Sequence, residues 1–359
     1  MTRLLMITPA RPAGEVGGRE QLSALHERCL GDLLGDKFAV HRIQPSPPAG
    51  VRGAITALAG AIDGVNAVSV GAVLAQITEG GIDQLWLDGS NLGRLAEAVK
   101  RAAPGVTVTT FAHNVEARFF LGGLRHRPRP RALAVLIANL AAERLAVRHS
   151  DRLIALSERD SALFGRLYRR RASDLLPMAI DDRLPAAMEE GPSTGGLLFV
   201  GGAFYANLAG IRWFAAKVAS RVDIVTRVVG RGFEAYRHEL EAGGRIEVVG
   251  EVPDLAPYYA SARAVIAPIF DGSGMKTKVA EALMHGKPVI GTREALSGYE
   301  AVDEQAGWRA DTPAQWFDAI DRVSSEPRPS FDPELRRLFD QHYSRAALRA
   351  RFAGLIATM

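Results

Sequence analysis

The chain has 359 residues, of which 47% are hydrophobic and 23% charged, with a net charge of +4 and a single cysteine, Cys29. That length suits two domains, and the composition is that of a globular α/β protein rather than a disordered or fibrous one. One cysteine excludes an internal disulfide and a cysteine-rich metal site, and the short apolar run at Leu4–Thr8 is far below a signal core or a membrane span, so a cytoplasmic protein is expected.

Strands are predicted over Leu4–Thr8, Phe38–Ile43, Gln84–Leu87, Val106–Phe111 and Arg152–Ala155. Between them, helices are predicted near Glu20–Leu34, Val51–Leu58, Val68–Thr78, Leu92–Arg101, Arg131–His149 and Glu158–Leu167, with Ser157 as the N-cap of the last. Asn139, Glu143 and Arg144 interrupt the apolar region 132–147, which makes it an amphipathic or buried helix and not a spanning one. The polar stretch 179–196, rich in Gly, Pro and Ser, reads as a linker. The alternation then restarts with strand Leu197–Val200, Gly201-Gly202, and a helix near Leu208–Val218. Strands at Ile224–Val229, Ile246–Val249, Ala264–Pro268 and Val289–Ile290 follow.

This order predicts an α/β fold of two Rossmann-like, doubly wound parallel-sheet domains facing across a cleft. The first spans residues 1–178 and the second 197–340, while a final helix within 341–359 packs back on the first domain. Ligands of such sheets bind beyond the carboxyl ends of the strands.

Charge is uneven: residues 101–173 hold fourteen arginines and five acidic residues. Clusters occur at Arg125–Arg131 and at Arg166 with Arg169, Arg170 and Arg171. They read either as a solvated face or as contacts for an anionic membrane surface or lipid-phosphate acceptor. Nucleic acid is disfavoured, because no aromatics interleave with the arginines for base stacking.

The stretch from Pro268 to Ile290 carries the most chemistry. A strand runs into Asp271-Gly272-Ser273-Gly274-Met275-Lys276, then into a helix, and leaves through Gly286-Lys287-Pro288 to another strand. Glycines at 272 and 274 let backbone approach a ligand, and a helix start offers unpaired N–H groups to an anion. Lys276, nearer the turn than Lys278, is the expected phosphate ligand, and Glu281 is placed to accept hydrogen bonds from a ribose.

With Glu281-Ala282-Leu283-Met284-His285-Gly286-Lys287-Pro288-Val289, this stretch resembles the donor-site signature of GT-B retaining glycosyltransferases, in particular glycosyltransferase family 4. The order of three other segments matches as well: Leu198–Gly202 with Asn207, Val228–Gly232, and Gly250–Leu255. The resemblance implies a metal-independent transferase that moves a sugar from a nucleotide-diphosphate sugar of the UDP or GDP type to a hydroxyl acceptor. Polysaccharide, glycolipid or glycoconjugate synthesis would be its setting, with peripheral contact at the inner face of the membrane. It implies donor contacts at Gly202, Arg231, Val252, Gly272, Ser273, Gly274, Met275, Lys276 and Glu281, and no organic cofactor or metal. His113, in the "HN" turn after a strand, would face the transferred sugar. Gly17 and Gly18, with Gly14, would form the loop under donor and acceptor, and Glu116 is either an acceptor base or a helix N-terminal charge. Two departures stand out: Ser273 replaces the sugar-facing Glu of many members, leaving Asp271 as a substitute, and Phe204, Tyr205 and Asn207 replace an Arg/Lys pair. A nucleotide-sugar 2-epimerase or a non-catalytic nucleotide-sugar-binding protein are the alternatives on the same architecture.

Overall fold

The computed structural model describes residues 3–10, 17–47, 49–184, 195–300, 303–325 and 329–358, which fall into two compact units, 1–178 with 345–359 and 179–344. The first unit begins β1 (Leu4–Pro9), α1 (Gly18–Leu34), β2 (Phe38–Ile43), α2 (Gly50–Leu58), α3 (Ala67–Gly80), β3 (Gln84–Asp88) and α4 (Gly93–Ala102). It continues β4 (Thr107–Ala112), α5 (Glu116–His126), α6 (Pro130–His149), β5 (Arg152–Ala155), α7 (Glu158–Tyr168) and β6 (Asp174–Leu175).

The six strands are parallel in the order β2-β1-β3-β4-β5-β6, a flavodoxin-like winding whose direction switches between β1 and β3. Leu4, Leu5, Met6 and Ile7 are all buried, as are all five residues of β3. Such continuous apolar runs are what strands covered by helices on both faces require. Ser157 caps α7 as its position predicts, its hydroxyl accepting from the Asp160 N–H at 3.2 Å.

The second unit runs β7 (Leu197–Val200), α8 (Tyr205–Lys217), β8 (Thr226–Val229), α9 (Arg237–Glu241), β9 (Ile246–Gly250), α10 (Ala256–Ser261) and β10 (Ala264–Ala267). Then come α11 (Thr277–Met284), β11 (Val289–Gly291), α12 (Asp303–Ala306), β12 (Gly307–Arg309), α13 (Pro313–Ser325) and α14 (Pro333–His342). Its order, β12-β11-β10-β7-β8-β9, is the Rossmann winding, with the switch between β7 and β10. α15 (Arg345–Ala357) returns to the first unit and packs on α1, where Phe352 lies 5.1 Å from the His26 ring and 5.5 Å from Trp86.

The structure has elements beyond those the sequence predicts: α5, the short edge strands β6 and β12, and the helices α12, α13 and α14 that follow β11. No helix among the described residues is long and apolar enough to cross a membrane.

Candidate active site

In the second unit, the ends of β7, β8 and β9 are stitched together beside the switch point. Gly201 N–H donates to Val229 O at 3.0 Å, Ala203 N–H to Arg231 O at 3.0 Å, and Gly230 N–H to Gly250 O at 2.7 Å. Gly201 and Gly230 have φ of +147° and +140°, and a Cβ on Gly230 would lie 2.1 Å from the Gly201 carbonyl oxygen. Only glycine tolerates that approach.

Lys278, on the first turn of α11, lies beneath this loop. Its Nζ donates to Asn207 Oδ1 at 3.0 Å and sits 3.8 Å from the Phe199 ring centroid. A Cβ on Gly201 would stand 3.3 Å from that nitrogen. Burial lowers its pKa from 10.5 to about 7; the Glu281 charge opposes the shift and Lys276 adds to it. Lys276, the phosphate ligand expected from the sequence, is placed differently. Lys276 Nζ is turned back on its own turn, donating to Gly274 O at 2.8 Å and Ser273 O at 3.3 Å, with Glu294 Oε1 at 3.2 Å. α11 also begins at Thr277, so Gly274 and Met275 lie in the turn ahead of the helix and do not supply its first N–H groups.

Gly272 and Gly274 carry that turn at φ of +129° and +66°, and Asp271 Oδ1 accepts from the Gly272 N–H at 2.8 Å. Ser273 is half-buried and Met275 buried beside Gly298. Glu281, about a turn beyond Lys278, has Oε2 accepting from the Tyr259 hydroxyl at 3.0 Å. Burial raises its pKa, against the Tyr259 hydrogen bond and the charges of Arg183 and Lys278. Gly202 O accepts from Asn207 Nδ2 at 2.8 Å, the Arg231 side chain is exposed on the next loop, and Val252 is half-buried after β9.

In the first unit, Asp88 at the end of β3 is the hub. Its Oδ2 accepts from Thr8 Oγ1 at 2.8 Å, and its Oδ1 lies 2.8 Å from His113 Nε2. Because a carboxylate only accepts, Nε2 carries a proton, and in the neutral ring Nδ1 is an acceptor, closed to solvent and unpartnered among the described residues. Burial alone would raise the Asp88 pKa, but the charge and hydrogen bond of His113, helped by His26 and Ser23, hold it well below the usual range. His26 lies edge-on to Phe111 at 4.5 Å, and burial lowers its pKa to about 3 despite Asp88.

Glu116 is buried at the first position of α5, with Arg19 at 4.0 Å, and burial raises its pKa. Its own N–H and that of Ala117 donate to Glu143 of α6, at 2.7 and 3.2 Å. Tyr168 and Ser90 hydroxyls donate to the same carboxylate at 2.5 and 3.3 Å. Burial raises the Glu143 pKa to about 7, with Tyr168 opposing and Glu116 adding. Gly17 precedes α1, its N–H on Glu20 Oε2 at 3.0 Å, and Gly18 opens the helix; Gly14 lies outside the described residues. Asp88 and Glu143 are not among the candidates that the sequence offers, and Lys278 ranks there below Lys276. Lys278 is signalled by its charge beside the helix start and by its three-residue spacing from Glu281, and Glu143 by its place as an acid in an apolar helix.

Residues 194–326 match the family model of the glycosyl transferases group 1. The match takes in both glycine loops, Lys278 and Glu281, and supports a glycosyltransferase of that group. No curated protein sequence matches the chain. Among solved structures, a sucrose-phosphate synthase from Thermosynechococcus elongatus is similar at a TM-score of 0.70 and 15% identity, covering 100% of this chain and 99% of that one. The Anabaena protein HepE in complex with UDP and glucose aligns at 0.63 and 13% identity, covering 100% of each chain. The lipopolysaccharide outer core galactosyltransferase WaaB aligns at 0.65 and 14%, covering 100% and 99%. At these identities the likeness shows the fold: the two parallel sheets are those of the GT-B glycosyltransferases.

Proposed function

We propose that the chain is a retaining glycosyltransferase that moves a sugar from a nucleoside-diphosphate sugar to an acceptor hydroxyl. The observation that carries this reading is Lys278, a lysine buried under a glycine loop at a Rossmann switch point with Glu281 about one turn further along the helix. A buried amine of lowered pKa regains its charge when an anion arrives beside it. The donor diphosphate is that anion. As the bond from the anomeric carbon to the phosphate oxygen breaks, negative charge collects on the β-phosphate. Lys278 and the backbone N–H groups of the turns then stabilise it electrostatically.

Glu281 accepts from the ribose hydroxyls through its second oxygen. Lys276 has the supporting task of holding the turn closed, so Lys276→Ala lowers turnover less than Lys278→Met. The structures of HepE with UDP and with UDP-glucose favour a UDP-type donor. The acceptor is assigned to the first unit, where His113 and Glu116 stand at the ends of its strands and the leaving phosphate takes the hydroxyl proton.

A thermal-shift screen against UDP-, GDP-, ADP- and dTDP-sugars, followed by donor turnover with and without acceptor, tests the assignment. A rise in Tm and acceptor-dependent release of nucleoside diphosphate are expected. A changed nucleotide sugar formed without acceptor would identify an epimerase instead, and binding without turnover a non-catalytic protein.

A further inference from the structure

A groove of about 1070 Å³ opens on the first unit between α6 and the end of α7, and none of its lining residues is assigned to the donor. Five arginines line it (Arg94, Arg144, Arg148, Arg169 and Arg170), and no carboxylate does. Two are already engaged. Arg94 binds Glu97 at 2.6 Å and Ala59 O at 3.0 Å, and Arg170 binds the carbonyls of Val147, Ser150 and Asp151 at 2.6, 2.6 and 2.8 Å. Arg144, Arg148 and Arg169 are exposed and make no side-chain hydrogen bond or ion pair among the described residues.

Apolar surface continues from these cations. Leu133, Ile137 and Leu140 are exposed and precede Arg144 and Arg148 at spacings of four, three, four and four, one face of α6. Leu167 is exposed on the opposite wall. α2, which packs on α6, turns Val51, Ile55 and Leu58 outward with exposures of 79%, 62% and 41%. An apolar stripe ending in unpaired arginines is complementary to acyl chains ending in phosphates.

Arg169 adds an independent sign. It stands at φ +58° as the C-cap of α7, a left-handed position that glycine fills at no steric penalty. The side chain kept there against that preference points a free guanidinium at the groove.

We propose that this groove and the stripe beside it seat an anionic lipid bilayer, with a phosphate headgroup between Arg144, Arg148 and Arg169. The site is separate from the cluster at Arg125–Arg131; it takes in Arg169 and Arg170 of the second arginine cluster and joins them to Arg144, Arg148 and the apolar stripe of α6, and it does not rest on the glycosyltransferase reading.

The test is co-sedimentation of the full chain with vesicles of phosphatidylglycerol and, separately, of phosphatidylcholine, for wild type, Arg169→Gly and Arg144→Glu/Arg148→Glu. Binding to phosphatidylglycerol alone is expected, weakened about fivefold by Arg169→Gly and about a hundredfold or more by the double variant. Arg169→Gly relieves a strained backbone position, so its Tm should be unchanged or raised, and lost binding in it is not lost folding. Equal binding of wild type and both variants, equal binding to the two lipids, or no vesicle binding overturns the proposal. So does an increase of Tm by inorganic phosphate that depends on Arg144 and Arg148 while vesicles are ignored, which would mark a soluble-phosphate site. The UDP-induced rise in Tm, measured on the same variants, should not change, which keeps this outcome distinct from that of the donor site.

Discussion

Replacing Lys278 with methionine should separate stability from donor binding, moving the two in opposite directions. The side chain is 7% exposed, and its pKa falls from 10.5 to about 7. That drop corresponds to roughly 5 kcal/mol withdrawn from the ammonium form by burial. A diphosphate beside Nζ restores the charge, so binding takes up about half a proton at pH 7. Affinity should then fall by about tenfold per pH unit above 7. Methionine keeps the volume and removes the charge. The Kd for UDP should weaken by about 10- to 150-fold, the worth of a charged hydrogen bond, and its pH slope should vanish.

Folding moves the other way. Because the folded pKa lies below the unfolded one, the unfolded chain holds more protons between pH 7 and 10.5, and wild-type stability rises with pH across that window. The methionine variant should lack this rise and be the more stable protein below pH 7. Titration calorimetry in two buffers of different ionisation enthalpy, with denaturant melts at pH 6.5, 8 and 9.5, reads both effects. A Kd for UDP that is flat with pH, zero proton uptake, or UDP binding by the variant as tight as wild type would refute the placement of a phosphate on Lys278.

Glu281→Ala should lower kcat/KM at least about tenfold through the lost ribose contact, and near-normal turnover removes it from the site. Gly230→Ala forces a Cβ to within 2.1 Å of Gly201 O, which should destabilise the chain by about 3 kcal/mol or more, read as a lowered midpoint in urea. Glu143→Gln keeps only one acceptor oxygen for four donors and should lower Tm by several degrees, a drop of about 2 kcal/mol. Since the folded pKa of Glu143, about 7, lies above its unfolded 4.5, wild-type stability should fall as pH rises between those values, and the fall should shrink in Glu143→Gln; an equal fall in both clears Glu143 of it. Donor turnover is expected to survive excess EDTA, and full loss reversed by a divalent cation would assign a metal to the reaction.

The strands were legible because parallel strands between helix layers are apolar throughout, and runs such as Leu4–Ile7 and Ala264–Ala267 have no competing reading. α5 was not legible for a physical reason. Val115 at its N-cap offers no capping side chain, and Gly122 and Gly123 weaken its interior. What holds its first turn is Glu143, which receives the N–H groups of Glu116 and Ala117 from 27 and 26 residues further along the chain. A cap delivered by tertiary structure leaves no local trace. The different placement of Lys276 and Lys278 was not legible for a related reason. Distance along the chain from the glycine turn favours Lys276, but side-chain direction on the first helical turn sends Lys278 inward beneath Gly201, while Lys276, at the N-cap, folds back onto Gly274 O.

The two sheets place their buried ionisable groups by the same rule. In each, winding reverses beside the first strand, and the crevice that opens there is where unpaired backbone groups gather. In the first unit the β1–β3 switch holds Asp88, whose charge is compensated by Thr8 and His113. In the second the β7–β10 switch holds Lys278, which among the described residues has the neutral Asn207 amide, the face of the Phe199 ring and a more distant Glu281 to offset burial. A compensated carboxylate is held ionised and fixes geometry. An under-compensated amine is left short of an anion, and the glycine loop above it, with no side chain to fill the space, admits one. The difference between the two switch points is therefore the strongest reason for placing the donor phosphates on the second unit.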